Sequence, residues 1–401
     1  MIVCCIAYIL KLRKLYINVK YDFIVLGATG MQGKIASRDL LENGYSVLLC
    51  GRKKERAMPL LKKYKNAGFE YVEMENISNV VKKIRNSGAN IVLNCVEGDW
   101  NLNALEACKQ ANVHCLDLGS EIWMTKEQLK LNGTLKRKNL IHITGCGSVP
   151  GIGNVMLAYA AKKLSKIKTI EVGFDWSSNI KKFVVPFSIQ SIIEEFTDPA
   201  PILENGKFVK VTPMDTIVKK NIRKVGNQYC FIVRHPETYT FYHYFKDKGV
   251  KNIRFYAGFP KHSFDVIKSM IEVGFGRNKE ITIKENKAKT LDFLTEVLKD
   301  LEFPKDYREK ENLWVKIKGS GKGKNKTINM ECIVHTLKGW EDAGSNIDTG
   351  MTISIMAQMI KKGIIKARGS FAPEAIVPPE PFFEELRKRS MIVYENGKVI
   401  N

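Results

Sequence analysis

No stretch of this chain stays apolar long enough to cross a bilayer. The opening segment Ile2 to Leu10 gives way after nine residues to Lys11, Arg13 and Lys14, a charge order opposite to that of a secretory leader. Residues 1–20 are therefore read as a short extension with no function attached, and no membrane partner is expected. Cysteine is present nine times, yet no pair stands as Cys-x-x-Cys and no Cys/His spacing suits zinc. His114 and Cys115 are neighbours on opposite faces of a strand, which makes them poor co-ligands. Dispersed thiols in odd number fit a reducing cytoplasm, and no metal site is expected. Carboxylates are scarce, 42 against 64 basic residues, for a net charge of +22. The excess is spread along the chain with no arginine-rich arm and no recognisable nucleic-acid module, so no nucleic-acid partner is expected. The positive potential instead favours phosphorylated cofactors and acidic substrates.

What is present is a glycine-punctuated turn. Tyr21 to Gly33 reads Y-D-F-I-V-L-G-A-T-G-M-Q-G, an apolar strand running into a helix over Lys34–Asn43 that Gly44 closes. Gly27 permits the tight turn, Gly30 lets backbone approach a pyrophosphate, and Gly33 lets the helix pack on the strand. Gly27, Thr29, Gly30, Met31, Gln32 and Gly33 thus form the candidate phosphate cradle, with the positive end of a helix behind it. The second strand, Ser46–Cys50, continues into Gly51-Arg52-Lys53 with no Asp or Glu at its tip. A carboxylate there would bind the ribose 2′-hydroxyl of NAD, whereas Arg52 and Lys53 suit a 2′-phosphate. NADP is favoured, with NAD still open. The alternative for Arg52 is stacking on adenine or simple solvation.

Strands and helices alternate from Tyr21 to Thr144, with six strands at 21–26, 46–50, 69–72, 90–95, 114–118 and 140–144. The pattern predicts a doubly wound parallel sheet with ligands at the strands' carboxyl ends. Asn94, Cys95 and Val96 after the fourth strand, and Asp117 and Gly119 after the fifth, are expected near the nicotinamide half of a dinucleotide. Past the glycine-rich junction Gly145–Asn154 the chain becomes richer in strands. A hairpin is predicted at Asn205-Gly206 and another joining 314–317 to 327–335. The linking Gly-Ser-Gly-Lys-Gly-Lys loop, 319–324, lacks the spacing of a Walker loop and reads as a solvated turn. The fold class is α/β: an N-terminal Rossmann domain over 21–150 and an α+β mixed-sheet substrate and dimerisation domain over 151–340. A helical segment, 341–401, follows. Its methionine stripe, Met351, Met356 and Met359, is core packing.

A short-chain reductase would use a Tyr-x-x-x-Lys pair with a serine. Tyr159 and Lys163 fit, with Ser148 upstream, but Tyr242 and Lys246 fit equally well in so lysine-rich a chain. The span from Tyr21 to Ile392 resembles the saccharopine dehydrogenase-like superfamily, and within it lysine ε-dehydrogenase-type enzymes. The resemblance lies in G-A-T-G-M-Q-G, Cys50-Gly51-Arg52, Val113–Gly119, and the junction Gly145–Asn154. It continues in Phe187-Ser188-Ile189, Glu195–Ala200, Glu204–Lys207, Ala372-Pro373-Glu374 and Pro379–Phe383. It implies a NAD(P)-dependent oxidoreductase acting on a C–N bond of an amino acid, a homodimer, and a last segment that packs back on the nucleotide domain. Such chemistry needs a proton acceptor and a cation for the substrate carboxylate. Asp117, His235 and Glu237 are the candidates for proton transfer, with Arg234 and Thr238 for substrate binding. Two plainer readings stay open: the cluster as a helix start at Pro236, and Asp117 as a strand-end hydrogen bonder. A protein that senses NADP without turning it over is the alternative from another class.

Overall fold

Four-residue strands buried on both faces set the first half of the architecture. The computed structural model describes residues 20–119, 121–185, 188–277, 279–299, 301–302 and 304–401. All but the last residue of the expected extension 1–20, and Phe187 of the family-like insert, lie outside these.

The chain divides into two compact units. One comprises the described residues up to Cys146 together with Thr349–Phe371, the other Gly147–Asp348 together with Ala372–Asn401. In the first unit, β1 (Phe23–Leu26), β2 (Val47–Gly51), β3 (Ala67–Tyr71), β4 (Ile91–Asn94), β5 (His114–Asp117) and β6 (Ile141–Ile143) pair in parallel in the order 6-5-4-1-2-3. This doubly wound order puts the switch point between β1 and β4, where ligands bind in such sheets. Helices 77–87 and 101–111 cover one face, packing Val80, Ile84 and Leu105 against Ile24, Leu48 and Val92. Such two-sided burial explains the near-continuous apolar strands.

The strand Gly369–Phe371 extends this sheet beyond β6, again in parallel. The helix Ile347–Lys361 lies before it. Its Gly350 sits so close to Ile35 that a Cβ would come within 2.5 Å. Ser354 and Gln358 donate to buried Asp39 at 2.6 and 3.1 Å. Of the segment 341–401 expected to join the nucleotide domain, only 349–371 groups with it, and 372–401 returns to the second unit.

The second unit is built on a ten-stranded sheet in which Asn252–Phe259 runs parallel to Lys166–Ser178. The long strands Glu309–Gly321 and Lys324–His335 form the expected hairpin, turned at Lys322-Gly323 with φ of +52° and +74°. Ala200–Glu204 and Lys207–Val211 pair around Asn205-Gly206, also as read from the sequence. Phe196 from the helix Ile189–Thr197 meets Phe231, Phe259 and Phe264 with ring centroids 4.5, 5.3 and 5.5 Å away. That aromatic cluster anchors the helix through Ile189, Ile192, Ile193 and Phe196.

Candidate functional site

The turn after β1 is shaped by close backbone approaches. Gly27 has φ +74°, and a Cβ on it would lie 2.7 Å from the Cys95 carbonyl. A Cβ on Gly33 would lie 2.1 Å from the Gly27 oxygen, so both positions require glycine. Gly30 differs: its nearest neighbour would be 3.4 Å away, leaving room beside the backbone. It is also the cap of α1 (Met31–Glu42), which has no side-chain cap and no acidic residue in its first turn. The N–H groups and dipole at this helix start are thus left uncompensated, which suits a pyrophosphate. Beyond β2, Arg52 and Lys53 are exposed. The nearby carboxylate Glu70 is paired with Lys83, and the Tyr71 hydroxyl donates to Glu73. The residues present fit NADP: an open glycine cradle for the diphosphate and two exposed cations for a 2′-phosphate.

The residues after β4 and β5 serve mainly to fix the strand ends. Asn94 is fully buried and donates to Asn101 at 2.7 Å, and Asn101 donates to the Gly119 carbonyl at 3.0 Å. Cys95 and Val96 bring their backbone under Gly27. Burial, reinforced by the Asp117 charge, pushes the Cys95 thiol up to about 12, so it is inert. Asp117 is 1 % exposed and accepts five hydrogen bonds. The N–H of Gly119 at 2.8 Å, the N–H of Gly145 at 3.1 Å and the Thr144 hydroxyl at 2.9 Å reach Oδ1. Gln128 at 2.7 Å and His142 at 3.0 Å reach Oδ2. Burial alone would raise its pKa, yet these donors, His142 foremost, hold it below the usual value. Asp117 therefore has neither exposure nor a vacant lone pair for proton transfer. The geometry assigns it to tying β5 to β6, the plainer of its two sequence readings.

In the second unit the chain leaves the strand Gly226–Ile232, crosses Arg234-His235-Pro236 and enters the helix Glu237–Phe245. His235 stacks flat on Phe255, centroids 3.9 Å apart at 12°. Its Nδ1 lies 2.7 Å from Oε2 of Glu237, which is wholly buried. A carboxylate on Nδ1 holds the proton there and leaves Nε2 as the basic nitrogen. The structure thus brings His235 and Glu237 together as the spacing suggested. The plainer reading of this cluster, a helix start, is also met: Pro236 caps the helix and Glu237 begins it. Arg234 pairs with Asp198 at 3.0 Å, so a substrate carboxylate would have to displace a neighbour. Thr238 is buried with its hydroxyl oxygen unbonded.

Two carboxylates beside this cluster were not singled out from the sequence. Glu195, on the helix Ile189–Thr197, has its Oε2 out of solvent and unbonded. Burial pushes its pKa up to about 8, moderated by the His235 charge and raised further by Glu194. Glu374 is 7 % exposed, and its Oε2 accepts from Asn154 at 2.7 Å. Asn154 in turn accepts from the N–H of Gly151 at 2.8 Å, so the glycine-rich junction holds this acid in place. Burial pushes Glu374 up to about 7, eased by Asn154 and Thr240 and raised by Glu237. In sequence these acids look like solvated helix positions; only the resemblance to known motifs marked their surroundings. Tyr159 and Lys163 lie in this second unit, where Lys163 is bonded to Glu395 at 2.6 Å. They are no part of a dinucleotide domain, which removes the short-chain reductase reading.

Residues 23–143 match the saccharopine dehydrogenase NADP binding domain, and residues 147–392 match the saccharopine dehydrogenase C-terminal domain. The chain belongs to the saccharopine dehydrogenase family. Among its relatives is a carboxyaminopropylagmatine dehydrogenase of Synechocystis sp., 23% identical over 93% of this chain and 96% of that one. A carboxynorspermidine synthase of Vibrio cholerae is 23% identical over 79% of each. Apo saccharopine dehydrogenase (L-Glu forming) of Saccharomyces cerevisiae shares the fold, with a TM-score of 0.75 and 13% identity, covering 95% of this chain and all of that one. This family member is an oxidoreductase with an NADP-binding Rossmann domain. Both relatives are named for carboxylated amines and neither for lysine. Among the described residues no helix is long and apolar enough to cross a membrane, and no cluster of His, Cys, Asp and Glu could hold a metal.

Proposed function

We propose that the protein oxidises or forms, with NADP, the C–N bond of an amine that also carries a carboxylate. The observation that carries this reading is the His235–Glu237 pair, a base with its Nδ1 proton held by a buried carboxylate. NADP, when bound, supplies the hydride exchange. Gly27, Gly30 and Gly33 with the start of α1 hold its diphosphate, and Arg52 and Lys53 hold its 2′-phosphate. In the oxidative direction Nε2 of His235 takes the proton released by the substrate ammonium, and Glu237 steadies the resulting imidazolium. The amine nitrogen then shares its lone pair with the carbon that has lost hydride. Water adds to that imine carbon, and the C–N bond breaks to leave a carbonyl compound and a smaller amine. The reverse sequence joins the two. Lysine ε-deamination and saccharopine-type conversion are both cases of this reaction, as is chemistry on the amines named in the relatives. The expected homodimer remains a proposal, checked by light scattering of the full chain.

The test is NADP+ reduction with carboxynorspermidine, saccharopine and lysine offered in turn. Turnover of at least one, lost in His235→Ala, is expected. Tight NADPH binding without turnover of any of them would make the protein a sensor.

A further inference from the structure

Acids with enclosed carboxylate oxygens are gathered in the second unit, whereas the chain as a whole is basic. Around His235 stand Glu195, whose pKa feels the histidine's charge, and Glu237, which bonds it. Glu374 feels the charge of Glu237 in turn. Of the basic groups nearby, Arg234 is spent on Asp198. The surrounding titratable groups are Glu194 on the Glu195 helix, and Tyr244 close to Glu374.

The second observation concerns what these groups lack. Oε2 of Glu195, Oε1 of Glu237, Oε1 of Glu374 and Oγ1 of Thr238 all lie out of solvent with no donor at hydrogen-bond distance. Glu237, Thr238 and Glu374 are 0 %, 1 % and 7 % exposed. Native proteins pair nearly all such atoms, so a set of unpaired acceptors points to a ligand that brings donors. Three of the four atoms are carboxylate oxygens, which an ammonium with its three N–H groups satisfies best. A ligand hydroxyl brings one donor and a neutral amide at most two, and neither compensates the charges.

We infer that Glu195, Glu237, Glu374 and Thr238 form a cradle for the ammonium groups of a polyamine chain. The inference rests on the proposed C–N reaction and narrows its substrate class to amines with a second ammonium beyond the reacting nitrogen. Entry of the cation discharges the like-charge repulsion between Glu237 and Glu374 and gives each unbonded oxygen a donor. Glu195 is the specificity-determining member: Glu237 is engaged by His235 and Glu374 by Asn154, whereas Oε2 of Glu195, on the helix Ile189–Thr197, has no hydrogen-bond partner.

The test is calorimetric titration of the full chain, with NADP+ present, by spermidine and by n-butylamine, which has one ammonium. Spermidine is expected to bind at least tenfold more tightly than n-butylamine, and Glu195→Gln to weaken spermidine at least tenfold. Thr238→Val, which deletes one acceptor without touching a charge, should weaken it a few-fold. Equal binding of the two amines, or spermidine affinity unchanged in Glu195→Gln, overturns the inference. Turnover of saccharopine or lysine without spermidine binding overturns the cradle alone. Spermidine binding without turnover of any amine overturns the proposed reaction alone.

Discussion

Asp117 in the first unit and Glu374 in the second are both buried carboxylates beside a histidine-bearing network, but their surroundings differ. Asp117 accepts five hydrogen bonds and is held below its ordinary pKa. Glu374 accepts from Asn154, keeps an oxygen with no close partner, and is pushed up to about 7. Glu195 is pushed further, to about 8. Burial costs a carboxylate its hydration in both places; the number of donors decides whether that cost is met. A saturated carboxylate holds structure together. An unsaturated one keeps capacity for a ligand or a proton, as functional sites tend to do.

The strongest way to break this comparison is to delete each acid. Asp117→Ala leaves the donors of Gln128, His142 and the Gly119 and Gly145 N–H groups without this acceptor, while Thr144 keeps Gln128. A loss of about 3 kcal/mol or more is expected in the first unit, read by denaturant or thermal unfolding. Glu374→Gln keeps the Asn154 contact through its amide oxygen and removes a charge already disfavoured, so a change within about 1 kcal/mol is expected. Equal losses in the two variants would erase the distinction.

Next comes cofactor choice, which rests on exposed groups. Arg52→Ala with Lys53→Ala removes the cations at the end of β2 and should cut the preference for NADPH over NADH about tenfold or more. Kd measured by fluorescence titration of each reduced cofactor checks it. An unchanged ratio would place the 2′-phosphate elsewhere.

The pH dependence should run in opposite senses. The Glu195 and Glu374 pKa values lie at about 8 and about 7 in the folded chain, above the ordinary 4.5. Their contribution to stability is full below 4.5 and is lost as the pH rises through 7 to 8. Asp117 is held below 3.8, so its contribution is present above that value and is lost as the pH falls. The Tm of Glu195→Gln/Glu374→Gln should therefore decline less between pH 6 and 9 than that of the parent protein. A parallel decline would show that these acids are not the groups titrating.

The smallest effect is expected at Gly30. A methyl there meets nothing closer than 3.4 Å, so Gly30→Ala should fold within about 0.5 kcal/mol of the parent while binding NADPH a few-fold more weakly. Gly33→Ala, with its 2.1 Å clash, should instead fail in stability.

Much of the first unit was legible in the sequence. The six strands fall within about two residues of their expected places, because short buried strands bounded by glycine and polar residues leave a plain pattern. The strand Gly369–Phe371 escaped notice: three residues carry no periodicity, and its place beside β6 is set by tertiary pairing. At the site, the glycine turn and the His235–Glu237 spacing were legible because local geometry imposes them. Asp117 was misjudged as a proton carrier because its five donors come from residues up to 28 positions away. Glu195 and Glu374 were missed for the same reason: an acid on a helix or in a short turn reads as solvated until packing buries it.

The most direct test is to measure stability and catalysis together in Glu195→Gln. An unaltered or higher Tm with kcat/KM for the amine substrate reduced about a hundredfold is expected, as for an acid kept unsaturated for function. A lowered Tm with kcat/KM unchanged would contradict the account, making Glu195 a structural residue like Asp117.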